Sequence, residues 1–119
     1  MSKKIYRTAI IGLGAVGKRM LTNLFSHPRF KPVAGYDLIS DSLDNFHLPD
    51  GSFKFIDNIK DLYETGGIDL LYISTPPKFH AEAVSKGLKN NWNIFCEKPL
   101  GISLSESTQL VRIIEQYKV

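Results

Sequence analysis

Residues 5–17 read I-Y-R-T-A-I-I-G-L-G-A-V-G, and the fold is decided there. Ile5 to Ile11 is apolar apart from Arg7 and Thr8, the pattern of a strand covered on both faces. Gly12, Gly14 and Gly17 follow as G-x-G-x-x-G. Val16, Met20, Leu21 and Leu24 then recur at helical spacing, with Lys18, Arg19, Thr22 and Asn23 on the other side. This amphipathic helix should end near His27-Pro28, because the residue before a proline is pushed out of the helical region. A bare glycine pattern is a weak signal, but a strand before it and a helix behind it give each glycine a task.

Downstream, apolar runs keep alternating with helical patterns. Val33–Asp37 reads as a second strand, and the acidic stretch Asp41–Phe46 is expected to hold a short helix. Phe53–Ile56 is a short third strand. Asp57 and Asn58 are suitable caps for a helix through Tyr63, closed by Gly66-Gly67. Asp69–Ser74 (D-L-L-Y-I-S) is a buried strand ended by Pro76-Pro77. Lys78–Leu88 is helical, with His80, Val84 and Leu88 on one stripe, and Asn93–Glu97 is a fifth strand. Ser103 and Glu106 form a capping box opening a last helix whose core stripe is Leu110, Ile114 and Tyr117. Strands separated by helices call for a parallel sheet with right-handed crossovers. The expectation is an α/β fold, a Rossmann-type doubly wound parallel sheet in the order 3-2-1-4-5. A sixth strand, usual in a full sheet of this kind, and a second domain are absent from residues 1–119.

Composition bounds the function. The chain has 119 residues, the size of one domain, with 43% hydrophobic and 23% charged residues, as in ordinary globular proteins. A single cysteine, Cys96, precludes an internal disulfide and fits a reducing, cytoplasmic setting. Net charge is +3, but it is polarised: residues 1–36 carry seven basic and no acidic side chains, while residues 37–69 carry eight acidic ones against Lys54 and Lys60. Lys18 and Arg19 fall on a solvent-facing helix side without interleaved aromatics, so nucleic acid is not expected as a partner. The basic start M-S-K-K-I-Y-R is not read as a secretion signal, since three glycines dilute the apolar run and no small-residue cleavage site follows. No apolar run approaches the roughly 18 residues of a membrane span, and no membrane partner is expected.

Three clusters carry chemistry. In the first, Gly12 permits a tight turn, Gly14 lets the backbone approach a pyrophosphate, and Gly17 lets helix and strand pack closely. Leu13, Ala15 and Val16 complete that loop, where the helix start offers free N–H groups to an anion. Twenty residues beyond Gly17 stands Asp37, placed to accept hydrogen bonds from an adenosine ribose. The second cluster is Ser74-Thr75-Pro76-Pro77-Lys78-Phe79-His80, at the carboxyl end of the fourth strand. His80 is either a partly buried residue hydrogen-bonded to its loop or a direct contact of cofactor or substrate. The third is Phe95-Cys96-Glu97-Lys98-Pro99-Leu100-Gly101. Lys98 is either an exposed loop lysine or the group that holds and polarises a substrate hydroxyl as hydride leaves its carbon. Cys96 reads as core, not nucleophile.

Together these clusters resemble the Gfo/Idh/MocA family of sugar and cyclitol dehydrogenases. The resemblance runs through G-L-G-A-V-G at 12–17, Asp37, S-T-P-P-K-F-H at 74–80 and C-E-K-P-L-G at 96–101, of which E-K-P is the most specific element. It covers nearly the whole chain but only the amino-terminal half of the family's architecture. It implies NAD(P)-dependent hydride transfer at a sugar- or polyol-like hydroxyl, with Lys98 at the reacting hydroxyl. Thr75, Pro76, Glu97 and Pro99 would line the cofactor cleft, and Lys98-Pro99 would be a cis bond. NAD is expected over NADP, because Asp37 would repel a 2′-phosphate and Leu38, Ile39 and Ser40 supply no arginine. The contrasting reading is a non-enzymatic module that binds a dinucleotide for a protein partner. An open edge on the fifth strand, guarded only by Glu97, is expected to drive homo-oligomer formation.

Overall fold

The computed structural model describes residues 3–39, 41–49 and 51–119. Its strands are β1 (Tyr6–Ile11), β2 (Phe30–Tyr36), β3 (Lys54–Phe55), β4 (Leu70–Ile73) and β5 (Asn93–Cys96). They form one parallel sheet in the order β3-β2-β1-β4-β5, the doubly wound order expected. The helices are α1 (Ala15–Ser26), α2 (Ile59–Tyr63), α3 (His80–Lys89) and α4 (Leu104–Ile114), with a 3₁₀ turn at Pro77–Phe79 before α3.

The apolar runs of β1 and β4 follow from burial on both faces, and side-chain alternation divides them between two cores. Ile10 and Tyr72 point into the core under α1, with Leu13, Leu21, Leu24 and Phe53. Ala9, Ile11, Leu71 and Ile73 point the other way, to Leu62, Val84, Leu88, Trp92 and Leu110. His80 is also buried on the α3 face, so its stripe with Val84 and Leu88 is real. Leu21 is fully buried and anchors α1, a contribution of about 2 kcal/mol for one leucine.

Several local expectations are corrected. Strand β2 starts at Phe30, not Val33, and runs through Pro32 because its register slips by one residue between Thr8 and Ala9. A bulge is where a sheet tolerates a residue without an N–H. Residues 41–45 form turns, not a short helix: Asp44 N–H bonds Asp41 O and Phe46 N–H bonds Leu43 O, and Asn45 is left-handed at φ 63°. So short a segment does not repay helix nucleation. Val16 is half exposed, outside the α1 core stripe. At α4, Ser103 Oγ accepts from Glu106 N–H, but Glu106 Oε1 accepts from Ile102 N–H, one residue before the usual capping-box position. Leu110 is buried, Ile114 is half-buried, and Tyr117 packs on the same core from beyond the helix end. Among the described residues no helix is long and apolar enough to cross a membrane.

Candidate functional site

One row of residues assembles the site. Register aligns Tyr36, Ile11, Ile73 and Cys96 across β2, β1, β4 and β5. Their successors Asp37, Gly12, Ser74 and Glu97 therefore leave the sheet side by side at its carboxyl edge, where open α/β sheets form their ligand crevice. Backbone bonds carry the row one step further: Gly12 N–H to Tyr36 O at 2.9 Å, Ser74 N–H to Ile11 O at 2.9 Å, and Glu97 N–H to Ile73 O at 3.0 Å.

Gly12 and Gly17 are closed positions. Gly12 has φ +97°, and a Cβ there would stand 2.7 Å from the Thr75 nitrogen. A Cβ on Gly17 would stand 1.9 Å from Gly12 O. That same carbonyl accepts from Ser74 Oγ at 2.7 Å, so Ser74 spends its hydroxyl on holding the loop. Gly14 differs, because nothing lies within 4 Å of where its Cβ would be. It also caps α1, which has no side-chain cap and no acidic residue in its first turn. Gly14, Ala15 and Val16 are exposed there. The helix start is thus free to meet an anion with its N–H groups and the positive end of its dipole.

Asp37 closes one side of this loop. Its Oδ2 accepts from Leu13 N–H at 2.6 Å and its Oδ1 from Ile39 N–H at 2.8 Å. Each carboxylate oxygen keeps a lone pair, so the group can still accept from a ligand hydroxyl. Leu38 and Ile39 are exposed beside it, and Ser40 lies outside the described residues.

At the β4 exit, Thr75 Oγ1 is buried without a partner, the kind of orphaned hydroxyl a ligand satisfies. Pro76 is exposed and starts the 3₁₀ turn, its carbonyl accepting from Phe79 N–H at 3.0 Å. His80 is only 1% exposed; Nδ1 lies 2.8 Å from Pro99 O and Nε2 2.8 Å from Thr75 O. Both ring nitrogens are engaged by the loops, as in the first of the two readings of this residue.

At the β5 exit, Glu97 is half-buried and Lys98 and Pro99 are exposed. Tyr72, buried in β4, donates its hydroxyl to Glu97 Oε1 at 3.1 Å. Burial, then the hydrogen bond and charge of Glu97, push the Tyr72 hydroxyl up to about 12, so it stays a donor. Sequence reasoning missed Tyr72. The signal was there, since a tyrosine inside a doubly covered strand needs a partner for its hydroxyl. Burial and the adjacent Glu97 push the Cys96 thiol up to about 11, which agrees with a core residue. Lys98 makes no ion pair among the described residues, and its bond to Pro99 is cis. The loop beyond is held by Gly101 N–H to Ser107 Oγ at 3.0 Å.

Open space at Gly14, an uncapped helix start and an orphaned hydroxyl on Thr75 fit a dinucleotide laid across this edge. Comparison with known proteins agrees. The model of the oxidoreductase family with an NAD-binding Rossmann fold, Gfo/Idh/MocA, matches residues 6–119. The scyllo-inositol 2-dehydrogenase (NAD(+)) of Bacillus subtilis is 34% identical over 102 residues, which is 85% of this chain and 30% of that protein. The crystal structure of myo-inositol 2-dehydrogenase from Lactobacillus plantarum superposes with a TM-score of 0.85 at 34% identity, over 96% of this chain and 34% of that one. Apo scyllo-inositol dehydrogenase from Lactobacillus casei gives 0.87 at 25% identity, over 98% and 35%. The chain thus spans about a third of the length of these relatives. With the glycine loop, the row at the sheet edge and the family match all in agreement, the chain belongs to the Gfo/Idh/MocA oxidoreductases and forms their NAD(P)-binding Rossmann domain.

Proposed function

We propose that this chain is the cofactor-binding domain of a longer two-domain enzyme that moves hydride between a nicotinamide dinucleotide and a hydroxyl of a sugar or cyclitol. The observation that carries this reading is the row Asp37, Gly12, Ser74 and Glu97, which sets the glycine loop, Thr75 and Lys98 along one edge. The nearby relatives named as inositol dehydrogenases support a cyclitol-like substrate.

In this reading the loop Gly12–Gly17 receives the pyrophosphate at its exposed residues Gly14, Ala15 and Val16, whose backbone N–H groups open α1, and Asp37 accepts from the adenosine ribose. Thr75, Pro76, Glu97 and Pro99 line the cleft, with Ser74 and His80 behind it. When bound, the dinucleotide supplies the hydride acceptor. Lys98 holds the reacting hydroxyl and stabilises its oxygen as the carbon is oxidised. NAD is preferred to NADP, since Asp37 disfavours a 2′-phosphate and no arginine follows it. The setting is cytoplasmic, and the open β5 edge makes the chain self-associating. A polypeptide carrying this domain together with its substrate domain, assayed for NAD reduction against a panel of polyols and sugars, tests the reading. Absence of turnover on every member, with NAD bound, counts against it.

A further inference from the structure

We propose that His80 is a positioning residue for Lys98, its ring clamping the carbonyl of Pro99, next to Lys98, onto the β4 exit at Thr75. The proposal rests on the reading that Lys98 works in the crevice. Its geometry stands on its own.

Lys98 and Pro99 are exposed between two fixed points of their loop, the Tyr72–Glu97 bond at the β5 exit and the Gly101–Ser107 bond beyond. His80 reaches this loop from 19 residues away: Nδ1 is 2.8 Å from Pro99 O. The opposite nitrogen, Nε2, is 2.8 Å from Thr75 O. Among the described residues the contact of Nδ1 with Pro99 O is the hydrogen bond that joins segment 75–80 to segment 98–101. A carbonyl oxygen can only accept, so the clamp on Pro99 needs a hydrogen on Nδ1, and Nε2 bonds Thr75 O only when it carries one as well. The ring is buried, so a ring nitrogen that lost its carbonyl would be left unpaired in the core. The start of α3 supplies the rigid base. His80 is its first residue, and Val84 and Leu88 on the same stripe are fully buried. Movement of the Lys98 loop relative to Thr75 is therefore resisted by a bridge anchored in the core, which holds the lysine against the wall of the cleft that carries the orphaned Thr75 hydroxyl.

Asparagine and glutamine separate the two halves of the bridge. The amide nitrogen of Asn occupies the place of Nδ1, and that of Gln the place of Nε2. His80→Asn keeps a donor for Pro99 O; His80→Gln keeps one for Thr75 O only. In the 119-residue chain, the Gly101 amide of His80→Gln is expected to exchange with solvent about tenfold faster than in the wild type, the worth of one buried hydrogen bond. His80→Asn should stay within about threefold of wild type. A residue that only fills space predicts the reverse order, because Asn leaves the larger void. Equal effects, or a greater effect of Asn, overturn the proposal. Should both variants unfold, the wild-type ring decides: nitrogen-15 spectra must show a hydrogen-bonded proton on Nδ1 close to Pro99, and its absence overturns the proposal. Failure of the wild-type chain to bind NADH counts against the cofactor reading alone, because exchange at Gly101 needs no cofactor.

Discussion

Asp37 Oδ2 accepts a hydrogen bond from Leu13 N–H at 2.6 Å, so the acidic residue that ends β2 holds the glycine loop that follows β1. One carboxylate thus shapes the loop, and in the proposed reading it also accepts from the adenosine ribose. Asp37→Ala should weaken NAD binding more than NADP binding, and should also cost about 1–2 kcal/mol of stability through the lost charge-assisted bond. Titration of both cofactors, paired with denaturant unfolding, checks the two effects. Tighter binding of NADP than of NAD by the wild type would sink the preference.

Gly14 and Gly17 should respond in opposite ways to alanine. Gly17→Ala drives a Cβ into the Gly12 carbonyl and is expected to destabilise the fold by about 3 kcal/mol or more. Gly14→Ala meets open space and should cost less than about 1 kcal/mol, while its methyl group obstructs the pyrophosphate and lowers dinucleotide affinity. Melting curves and NADH titrations on both variants distinguish a packing glycine from a ligand-approach glycine.

For an enzyme that carries this domain with its substrate domain, Lys98→Ala is expected to lower kcat by about a hundredfold or more with little change in cofactor affinity. Its ammonium is exposed and makes no ion pair among the described residues, so its structural contribution is small. Steady-state kinetics with a separate cofactor titration reads this directly, and near-normal turnover would return Lys98 to an ordinary loop lysine.

Cys96 should resist alkylation. With its thiol raised to about 11, the thiolate fraction at pH 8 is about a hundredfold below that of a free cysteine. Its reaction with iodoacetamide should accelerate as pH rises toward that value, since the folded state favours the protonated form. Rapid labelling at neutral pH in the folded chain would contradict the burial that causes the shift.

Strand β5 ends the sheet, and among the described residues no strand pairs with its outer side. Phe95 is half exposed on it, and an apolar cavity of about 290 Å³ lies between β5, α3 and α4, lined by Ile94, Leu100 and Ile114. Such edges recruit other chains. Light scattering across a concentration series should show association; a clean monomer whose β5 amides are protected from exchange would show that the chain covers its own edge.

Much of this was legible in one dimension, because the forces that set strands, helices and glycine turns are local. The doubly covered run Tyr6–Ile11, the glycines at 12, 14 and 17, the Asn58 cap and the paired prolines each act within a few residues, and composition alone placed the chain among single globular domains. The strand order followed from the same alternation of patterns and the rule of right-handed crossovers. Turns at 41–45 escaped because a short polar segment carries no packing demand that reveals its conformation. Three relationships were decided only by tertiary structure: Tyr72 with Glu97, Asp37 with Leu13, and His80 between Thr75 and Pro99. Each joins segments that periodicity treats separately. Which donor meets which acceptor depends on the register of parallel strands and on where buried polar atoms can find partners, and those are properties of the packed chain.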